Sequence, residues 1–271
     1  MVNNNLLQNI YNKLFCLLPQ FGNLNVLKLS SLPIKISQII VGKNNLNDFV
    51  RRSIQRVTEV DLNGATSICD YMFSNCESLT SITIPDSVTS IGGYAFSGCN
   101  KLTSITIPDS VTSIGDNAFS SCTSLTSIAI PDSVTSIRHA VFYGCTSLTS
   151  ITIPDSVTTI GTNAFYACHS LTSITIPDSV TTIGDMAFSG CTSLTSITIP
   201  DSVTSIDQYA FRNCTQLTDI YVESAVPPTI SKNIFLTTPT IHVPIGSGAA
   251  YKSATNWSNY ANQIVEDIVI E

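Results

Sequence analysis

Residues 102–124 read LTSITIPDSVTSIGDNAFSSCTS, and this 23-residue unit recurs along most of the chain. Phenylalanine and leucine each form a column with the same step, and so does cysteine, which stands at Cys76, Cys99, Cys122, Cys145, Cys168, Cys191 and Cys214. Identical columns at a fixed period arise when one supersecondary unit stacks on copies of itself. The sequence therefore predicts a solenoid.

Each unit begins with a strand pattern. Ile105 and Ile107 alternate with Ser104 and Thr106, which is the period of a strand with one buried face. The residues that follow, 108–110, are Pro-Asp-Ser and indicate a turn. The isoleucines are predicted to face the core, and the serine and threonine to face outward.

The second half of the unit contains another inward-facing pair and a bend. Val111 and Ile114 form the pair, and Gly115 then permits a tight turn. Ala118, Phe119, Cys122 and Leu125 follow at steps of three to four, which favours a short helical turn packed inward. Every coil is predicted to add these apolar side chains to one continuous core.

The pattern LxxIxIPxxVxxIGxxAFxxCxxL, copied over about residues 57–243, resembles the BspA-type leucine-rich repeat. The resemblance implies an α/β fold: a right-handed solenoid of about eight rungs with a parallel β-sheet, short helical turns, and caps at both ends. It also implies a non-enzymatic protein related to surface adhesins and recognition proteins, located outside the cell or at its surface.

Three parts of the chain are predicted. Residues 57–243 form the solenoid, and residues 244–271 form a C-terminal cap. Residues 1–56 lack the repeat and are either a cap or an attachment element. Helices are expected there, one with Leu7, Ile10, Leu14 and Leu18 on a single face and a second around residues 46–53.

The composition is unusual for an ordered chain. It has 36 serines and 32 threonines, whereas only 11% of its residues are charged, against roughly 25% in an ordinary soluble domain. A net charge of −7 without a basic cluster argues against binding to nucleic acid or anionic membranes. No apolar run reaches the roughly 18 residues that a membrane span needs, and the first 20 residues do not read as a secretory signal.

The cysteine column does not have the spacing of a metal site, since ligands there cluster closely in sequence. A row of reduced, buried thiols that pack as small apolar groups is the interpretation we favour. Cys69 stands instead at the bend position of Gly92 and Gly115, so we expect it to be the most exposed thiol.

An aspartate column is the second candidate for chemistry: Asp86, Asp109, Asp132, Asp155, Asp178 and Asp201. These carboxylates would stack about 5 Å apart. The pattern favours turns in which each carboxylate accepts backbone N–H groups. Calcium binding is the alternative, although the other oxygen ligands that Ca²⁺ needs are not clustered around each Asp.

Catalytic motifs are missing from the sequence. The histidines, His139, His169 and His242, stand at unrelated positions of the repeat, and no nucleophile elbow, phosphate loop or zinc motif occurs. We therefore expect no enzymatic activity, no cofactor and no metal.

Two surfaces could bind a partner, and they differ in how regular they are. Columns that vary between copies suit a protein or glycan with irregular features, because recognition surfaces are enriched in aromatic and arginine side chains. We call the variable set the aromatic ridge: Tyr94, Asn117, His139, Tyr143, Asn163, Tyr166, Met186, Tyr209 and Arg212. The alternative is a uniform hydroxyl face: Ser104, Thr106, Ser127, Ser150, Thr152, Ser173 and Thr175.

The sequence favours a recognition or adhesion module that binds a protein or glycan through one of these surfaces. A second hypothesis is a structural or receptor-binding component of a phage particle, docked by residues 1–56 and consistent with the lack of a recognisable signal peptide. A third is ice binding by the hydroxyl face, whose repeat is near 5 Å across strands. Oligomeric state, ligand and organism do not follow from the sequence.

Overall fold

The computed structural model describes residues 26–28, 59–61 and 65–269, and the last of these ranges forms a solenoid of about eight coils. The strands, in chain order, are β1 (Val26–Lys28), β2 (Glu59–Asp61), β3 (Ser90–Ile91), β4 (Ser104–Thr106), β5 (Ser113–Ile114), β6 (Ser127–Ala129), β7 (Ser136–Ile137), β8 (Ser150–Thr152), β9 (Thr159–Ile160), β10 (Thr182–Ile183), β11 (Ser196–Ile199), β12 (Ser205–Ile206), β13 (Asp219–Val222), β14 (Thr229–Ile230), β15 (Thr240–Pro244) and β16 (Ile264–Ile268). The predicted α/β solenoid with parallel strands is confirmed.

The first row of strands is formed by the Ser-Ile-Thr segment of each repeat. β4, β6 and β8 pair in one sheet, and β11, β13, β15 and β16 pair in another, all in parallel. Ser104 pairs with Ser127, and Ser127 with Ser150, so equivalent residues of successive copies lie side by side. Ile105 is buried and Ser104 and Thr106 are exposed, which confirms the predicted faces.

The second row is formed by the short strand after the Pro-Asp-Ser turn. β3 pairs with β5, and β7, β9, β10, β12 and β14 form a five-stranded parallel sheet. Within residues 65–269 no strand pairing joins β5 to β7, so this row is interrupted once between those two strands.

A glycine column stands at the bend that follows this second row. A Cβ atom placed on Gly115 would lie 2.4 Å from the backbone nitrogen of Gly93, and one on Gly161 would lie 2.9 Å from the carbonyl carbon of Arg138. The coils are therefore too close at this bend for most side chains. Arg138 occupies the glycine position in the coil that carries β7, next to the interruption. Asp207 occupies it in the coil that carries β12, which still pairs with β10.

The third side of each coil consists of turns rather than a helix. Positive φ angles break the expected helical turn around residues 118–125: Asn117, at 58°, directly precedes it, and Ser121, at 59°, lies within it. Backbone N–H groups there bond to the next coil instead of within a helix: Asn117 donates to the carbonyl of His139 at 2.9 Å, and Phe119 to that of Val141 at 3.0 Å. Stacking between coils thus satisfies the turn backbone.

The core is a set of continuous columns. Leucine, isoleucine, valine, alanine, phenylalanine and cysteine side chains of the repeats are buried from Ala65 to Ile264. The phenylalanine rings stack from Phe73 to Phe235, with neighbouring centroids 5.3–5.8 Å apart. Each coil covers the apolar surface of the next, so the core extends as far as the repeats do.

The C-terminal segment continues the first row. α1 (Gly248–Ser253), a 3₁₀ helix (Trp257–Tyr260) and β16 follow β15. The Tyr251 hydroxyl donates to the carbonyl of Ser224 at 2.7 Å, and Trp257 Nε1 donates to that of Pro228 at 2.7 Å. Side chains of this segment thus bond back to the last repeats.

At the N-terminal side, β1 pairs in parallel with β2, and Val26 lies opposite Glu59. The two helices expected within residues 3–18 and around residues 46–53 lie outside the described residues. The division at residue 56 stays a prediction.

Candidate binding surfaces

The first column of the aromatic ridge lies at a left-handed backbone position in each coil. The φ angle is 55° at Tyr94 and 60° at Tyr209. It is also 60° at Tyr71, which was not among the predicted ridge residues but stands at the same position one repeat before Tyr94. Asn117 and Asn163 fill the same position in other coils, with φ of 58° and 56°, and asparagine tolerates this conformation better than most residues. A tyrosine there costs on the order of 1 kcal/mol of backbone strain. The fold of the coil therefore does not require tyrosine at this position.

Tyrosines on the ridge form stacked pairs. The ring centroids of Tyr71 and Tyr94 are 4.8 Å apart, and those of Tyr143 and Tyr166 are also 4.8 Å apart. Tyr94 and Tyr143 keep 36% and 38% of their surface exposed. In the described part of the chain these four phenolic hydroxyls make no hydrogen bond, so they are free to bond to a partner.

A contact between Tyr209 and Arg212 shows that the two variable columns form one surface. The guanidinium carbon of Arg212 lies 4.9 Å from the centre of the Tyr209 ring, a cation–π distance. Nε of Arg212 is buried without a hydrogen-bond partner. The ridge thus carries both strained backbone and an unsatisfied polar atom.

The ridge residues differ in how much of their surface is exposed. Tyr94, His139 and Tyr143 are exposed, and the others are half-buried: Asn117, Asn163, Tyr166, Met186, Tyr209 and Arg212. Ser120 and Ser189, which share the column of Tyr143, are buried. This column therefore reaches the surface mainly where its side chain is large.

The hydroxyl face differs from the other serine and threonine columns in its hydrogen bonding. Thr126 donates to the carbonyl of Thr103 at 3.3 Å, and Ser110 donates to that of Val88 at 2.7 Å, so these columns join neighbouring coils. Within residues 65–269 the predicted outward hydroxyls make no such bond, namely those of Ser104, Thr106, Ser127, Ser150, Thr152, Ser173 and Thr175. They lie exposed in two parallel rows, with Ala129 in place of one threonine.

The aspartate turns are not closed as the sequence suggested. Across residues 65–269 no backbone N–H donates to the column carboxylates. The turn is closed by Val111 N–H, which donates to the carbonyl of Pro108 at 3.0 Å, while the Ser110 hydroxyl bonds to the previous coil. The carboxylates instead point to solvent. Burial, together with the charges of Asp178 and Asp201, raises the pKa of Glu223, which stands one residue before the next position of this column.

The column cysteines are buried, which confirms the packing prediction. Each thiol from Cys99 onward donates a hydrogen bond to a phenylalanine carbonyl, as Cys145 does to Phe119 at 3.2 Å. Burial raises the pKa of Cys145 and of Cys214 to about 12. Cys69 is half-buried.

The C-terminal end of the first row contains a polar cluster around His242 that was not predicted from the sequence. His242 Nδ1 lies 2.7 Å from Asp267 Oδ2, and its Nε2 lies 3.0 Å from Asp219 Oδ1. The Tyr221 ring stacks on the imidazole at 4.4 Å. The available signal was that Asp219 replaces a column serine and His242 a column threonine in the last coils.

Two classes of site have no counterpart in the residues that the structure describes. No three histidine, cysteine, aspartate or glutamate side chains among them are arranged to hold a metal ion. Among the same residues, no helix has the length and apolarity needed to cross a membrane.

Parallel strand rows, turn-closed coils and buried leucine, phenylalanine and cysteine columns define a leucine-rich repeat protein. A family model described as the BspA type leucine rich repeat region matches residues 49–145 and 135–260, in six copies. Because these matches cover most of the sequence, the chain belongs to the BspA-type leucine-rich repeat family.

Solved structures of bacterial leucine-rich repeat proteins are similar to the chain. The leucine-rich repeat protein of T. pallidum is 31% identical with a TM-score of 0.56, over 62% of this chain and 78% of that one. A leucine-rich cell surface protein of Faecalibacterium prausnitzii is 32% identical with a TM-score of 0.44, over 77% of this chain and 58% of that one. None of the curated proteins compared with the chain matches it.

Proposed function

We propose that the chain is a non-enzymatic recognition module, displayed outside the cell, that binds a partner through the aromatic ridge. The observation that carries this proposal is the tyrosine at the left-handed position of Tyr71, Tyr94 and Tyr209. Other coils place asparagine, alanine or methionine there, so tyrosine is not required for folding. Residues held in backbone conformations that are unfavourable for their type concentrate at functional sites.

The chemistry of the ridge suits a protein partner best. Exposed tyrosines and an arginine are the side chains that dominate binding energy at protein interfaces. Free phenolic hydroxyls on Tyr94 and Tyr143 add hydrogen-bonding capacity to an apolar ring surface. Family membership supports the same role, since leucine-rich repeats are generally binding modules. A glycan is the alternative partner, because aromatic side chains with polar neighbours suit it as well.

The hydroxyl face is the alternative surface. Its hydroxyls are free, whereas those of Thr126 and Ser110 bond to neighbouring coils. A regular array of this kind suits a partner with its own repeat, including ice. The free hydroxyls also have a simpler origin, because uncharged outward residues avoid stacking like charges in register.

The pairing of β1 with β2 bears on the role of residues 1–56. Because β1 pairs in parallel with β2, at the start of the predicted solenoid, the pairing supports a cap rather than a docking element. A docking role in a phage particle has no further support, and we propose the cap.

Binding of the full chain to arrayed extracellular proteins and arrayed glycans tests the proposal. The ridge variant replaces Tyr94, Tyr143 and Tyr166 by serine, and the matched control replaces Ser104, Ser127 and Ser150 by alanine. Loss of a hot-spot side chain costs more than about 1 kcal/mol, so the ridge variant should lose at least about tenfold in affinity. The control should bind like the unmodified chain.

The reverse result would assign binding to the hydroxyl face. A ridge variant that keeps the affinity of the unmodified chain for every captured partner would contradict the proposal. Circular dichroism and thermal unfolding of both variants establish that a change in binding does not reflect a change in folding.

A further inference from the structure

His242 joins three neighbouring strands of the first row. It lies on β15, and its two ring nitrogens contact Asp219 of β13 on one side and Asp267 of β16 on the other, at 3.0 Å and 2.7 Å. Its side chain is only 14% exposed. No other contact described above links β16 to β13, so this residue ties the closing strand to the last repeats.

The groups that face the imidazole are acidic or neutral. β13 contributes Asp219 and the stacked Tyr221, and Thr218 donates to the Asp219 carboxylate at 2.7 Å. β16 contributes Asp267, with Val265 directly opposite His242. Neither these strands nor β15 carry a Lys or Arg. Lys252 of α1 forms no ion pair with Asp219 or Asp267 within the described residues, so the imidazole is the cationic partner of these carboxylates.

Within the described residues, the two neighbouring glutamates make no hydrogen bond to the His242 ring. Glu266 of β16 accepts a hydrogen bond from the Gly248 N–H at 2.7 Å, which ties β16 to the start of α1. Glu223 follows the end of β13, and its electrostatic neighbours are Asp178 and Asp201. The charged residues of β13, β15 and β16 other than His242 are therefore all acidic.

Bridging two carboxylates requires both ring nitrogens to donate. A protonated imidazole has two N–H donors, whereas a neutral one has one donor and one lone pair. After loss of the proton, one nitrogen would direct its lone pair at a carboxylate oxygen, and two negative charges would remain without a cation. The doubly bonded arrangement therefore belongs to the protonated ring.

We propose that His242 is a proton-dependent clasp that holds the closing strand β16 onto the solenoid through Asp219 and Asp267. With the proton bound, β16 is bonded across β15 to β13. Without it, one of the two bridges is lost and the C-terminal segment opens more readily. The clasp concerns the end of the solenoid and is independent of which surface binds a partner.

The direction of the pH dependence follows from the electrostatics. Burial lowers the pKa of His242, but the hydrogen bonds and charges of Asp219 and Asp267 outweigh it, so the pKa is raised above its usual range. A raised folded-state pKa means that the clasp contributes its full stability below the unfolded pKa of about 6.5. That contribution is lost as the pH rises through the folded-state value.

The chain contains its own reporter of this opening. Trp257 is the single tryptophan, is buried, and packs edge-on against Tyr251 at 5.1 Å. Both residues belong to the segment between β15 and β16. Opening of the clasp should therefore expose Trp257 to solvent before the repeats unfold.

The test is acrylamide quenching of Trp257 in the full chain, from about pH 5.5 to about pH 9, a range that spans the ordinary histidine pKa. The quenching constant should rise severalfold with pH. His242→Gln should remove the pH dependence and leave Trp257 accessible throughout, and Asp267→Asn should weaken it. His169→Gln, at an exposed histidine elsewhere on the solenoid, should keep the original profile.

An NMR titration of the unmodified chain makes the test independent of any variant. The His242 ring signals should report a pKa above about 6.5. A pKa at or below that value would overturn the proposal. So would quenching that does not change with pH, or a His242→Gln protein with the original pH profile.

Discussion

The rings of Phe119 and Phe142 stack with centroids 5.8 Å apart, more than the 5.3–5.7 Å of the other neighbouring phenylalanine pairs. The wider spacing falls at the coil boundary where Arg138 replaces a glycine and β5 does not pair with β7. One side chain at a bend therefore coincides with a wider coil spacing in the core. The phenylalanine column continues across this boundary.

The phenylalanine column is expected to dominate stability. Phe142→Ala removes a buried ring that stacks on both sides and should cost about 3–5 kcal/mol, as core truncations of this size do. The free energy of unfolding in urea measures the loss.

The control for this substitution is Ser127→Ala, at an exposed strand position with no side-chain hydrogen bond within the described residues. It should change the free energy of unfolding by less than about 0.5 kcal/mol. Similar losses for the two variants would mean that the inward and outward faces are wrongly assigned.

Close packing at the glycine bend should make even one methyl group unfavourable. A Cβ on Gly115 would lie 2.4 Å from the nitrogen of Gly93 and 2.6 Å from the carbonyl carbon of Gly92. Gly115→Ala should therefore destabilise the chain by about 1–3 kcal/mol, the usual cost of overpacking. Thermal unfolding tests this, and an unchanged melting temperature would show that the coils separate at little cost.

The buried thiols should resist alkylation. Burial raises the pKa of Cys145 to about 12, and the thiolate is the reactive form. Iodoacetamide at neutral to mildly alkaline pH should modify Cys69 before any column cysteine, because Cys69 is half-buried rather than buried. Peptide mapping by mass spectrometry locates the modification, and denatured protein provides the fully reactive reference. Rapid labelling of Cys145 in the folded chain would contradict the assignment.

Replacing Tyr94 or Tyr143 of the ridge by asparagine should change the free energy of unfolding by different amounts. Tyr94→Asn loses a stacking contact but relieves a positive φ of 55°, whereas Tyr143→Asn loses a similar contact without such relief. Stacked aromatic pairs contribute about 0.5–1.5 kcal/mol, and strain of the left-handed kind costs on the order of 1 kcal/mol. Tyr94→Asn should therefore be the more stable variant, as judged by urea unfolding. The opposite order would show that the strain at Tyr94 is negligible.

The repeat made much of the fold predictable. Ile105 and Phe119 recur every 23 residues, so the strand face and the core column followed from position alone, and both are confirmed. The turns were harder. Asn117 and Ser121 lie at positive φ because bonds to the next coil satisfy their backbone, and such bonds leave no mark in the periodicity of a single unit.

The ridge residues could be selected from the sequence because they vary between copies, but their geometry could not. The stacking of Tyr143 on Tyr166 and the contact of Arg212 with Tyr209 depend on which side chains neighbouring coils bring together. The sequence-based expectation that each Asp of the turn accepts backbone hydrogen bonds was wrong, because the N–H of the valine that follows the turn donates to the proline carbonyl instead.

By itself the sequence determined the coil: its length, its buried columns and the outward serines and threonines, because every copy meets the same environment above and below. Only the tertiary structure decided which hydroxyls are free, which tyrosines are strained, and that His242 lies between Asp219 and Asp267. The reason is physical. A repeated environment can be inferred from one unit, whereas contacts between unlike coils exist only once the coils are stacked.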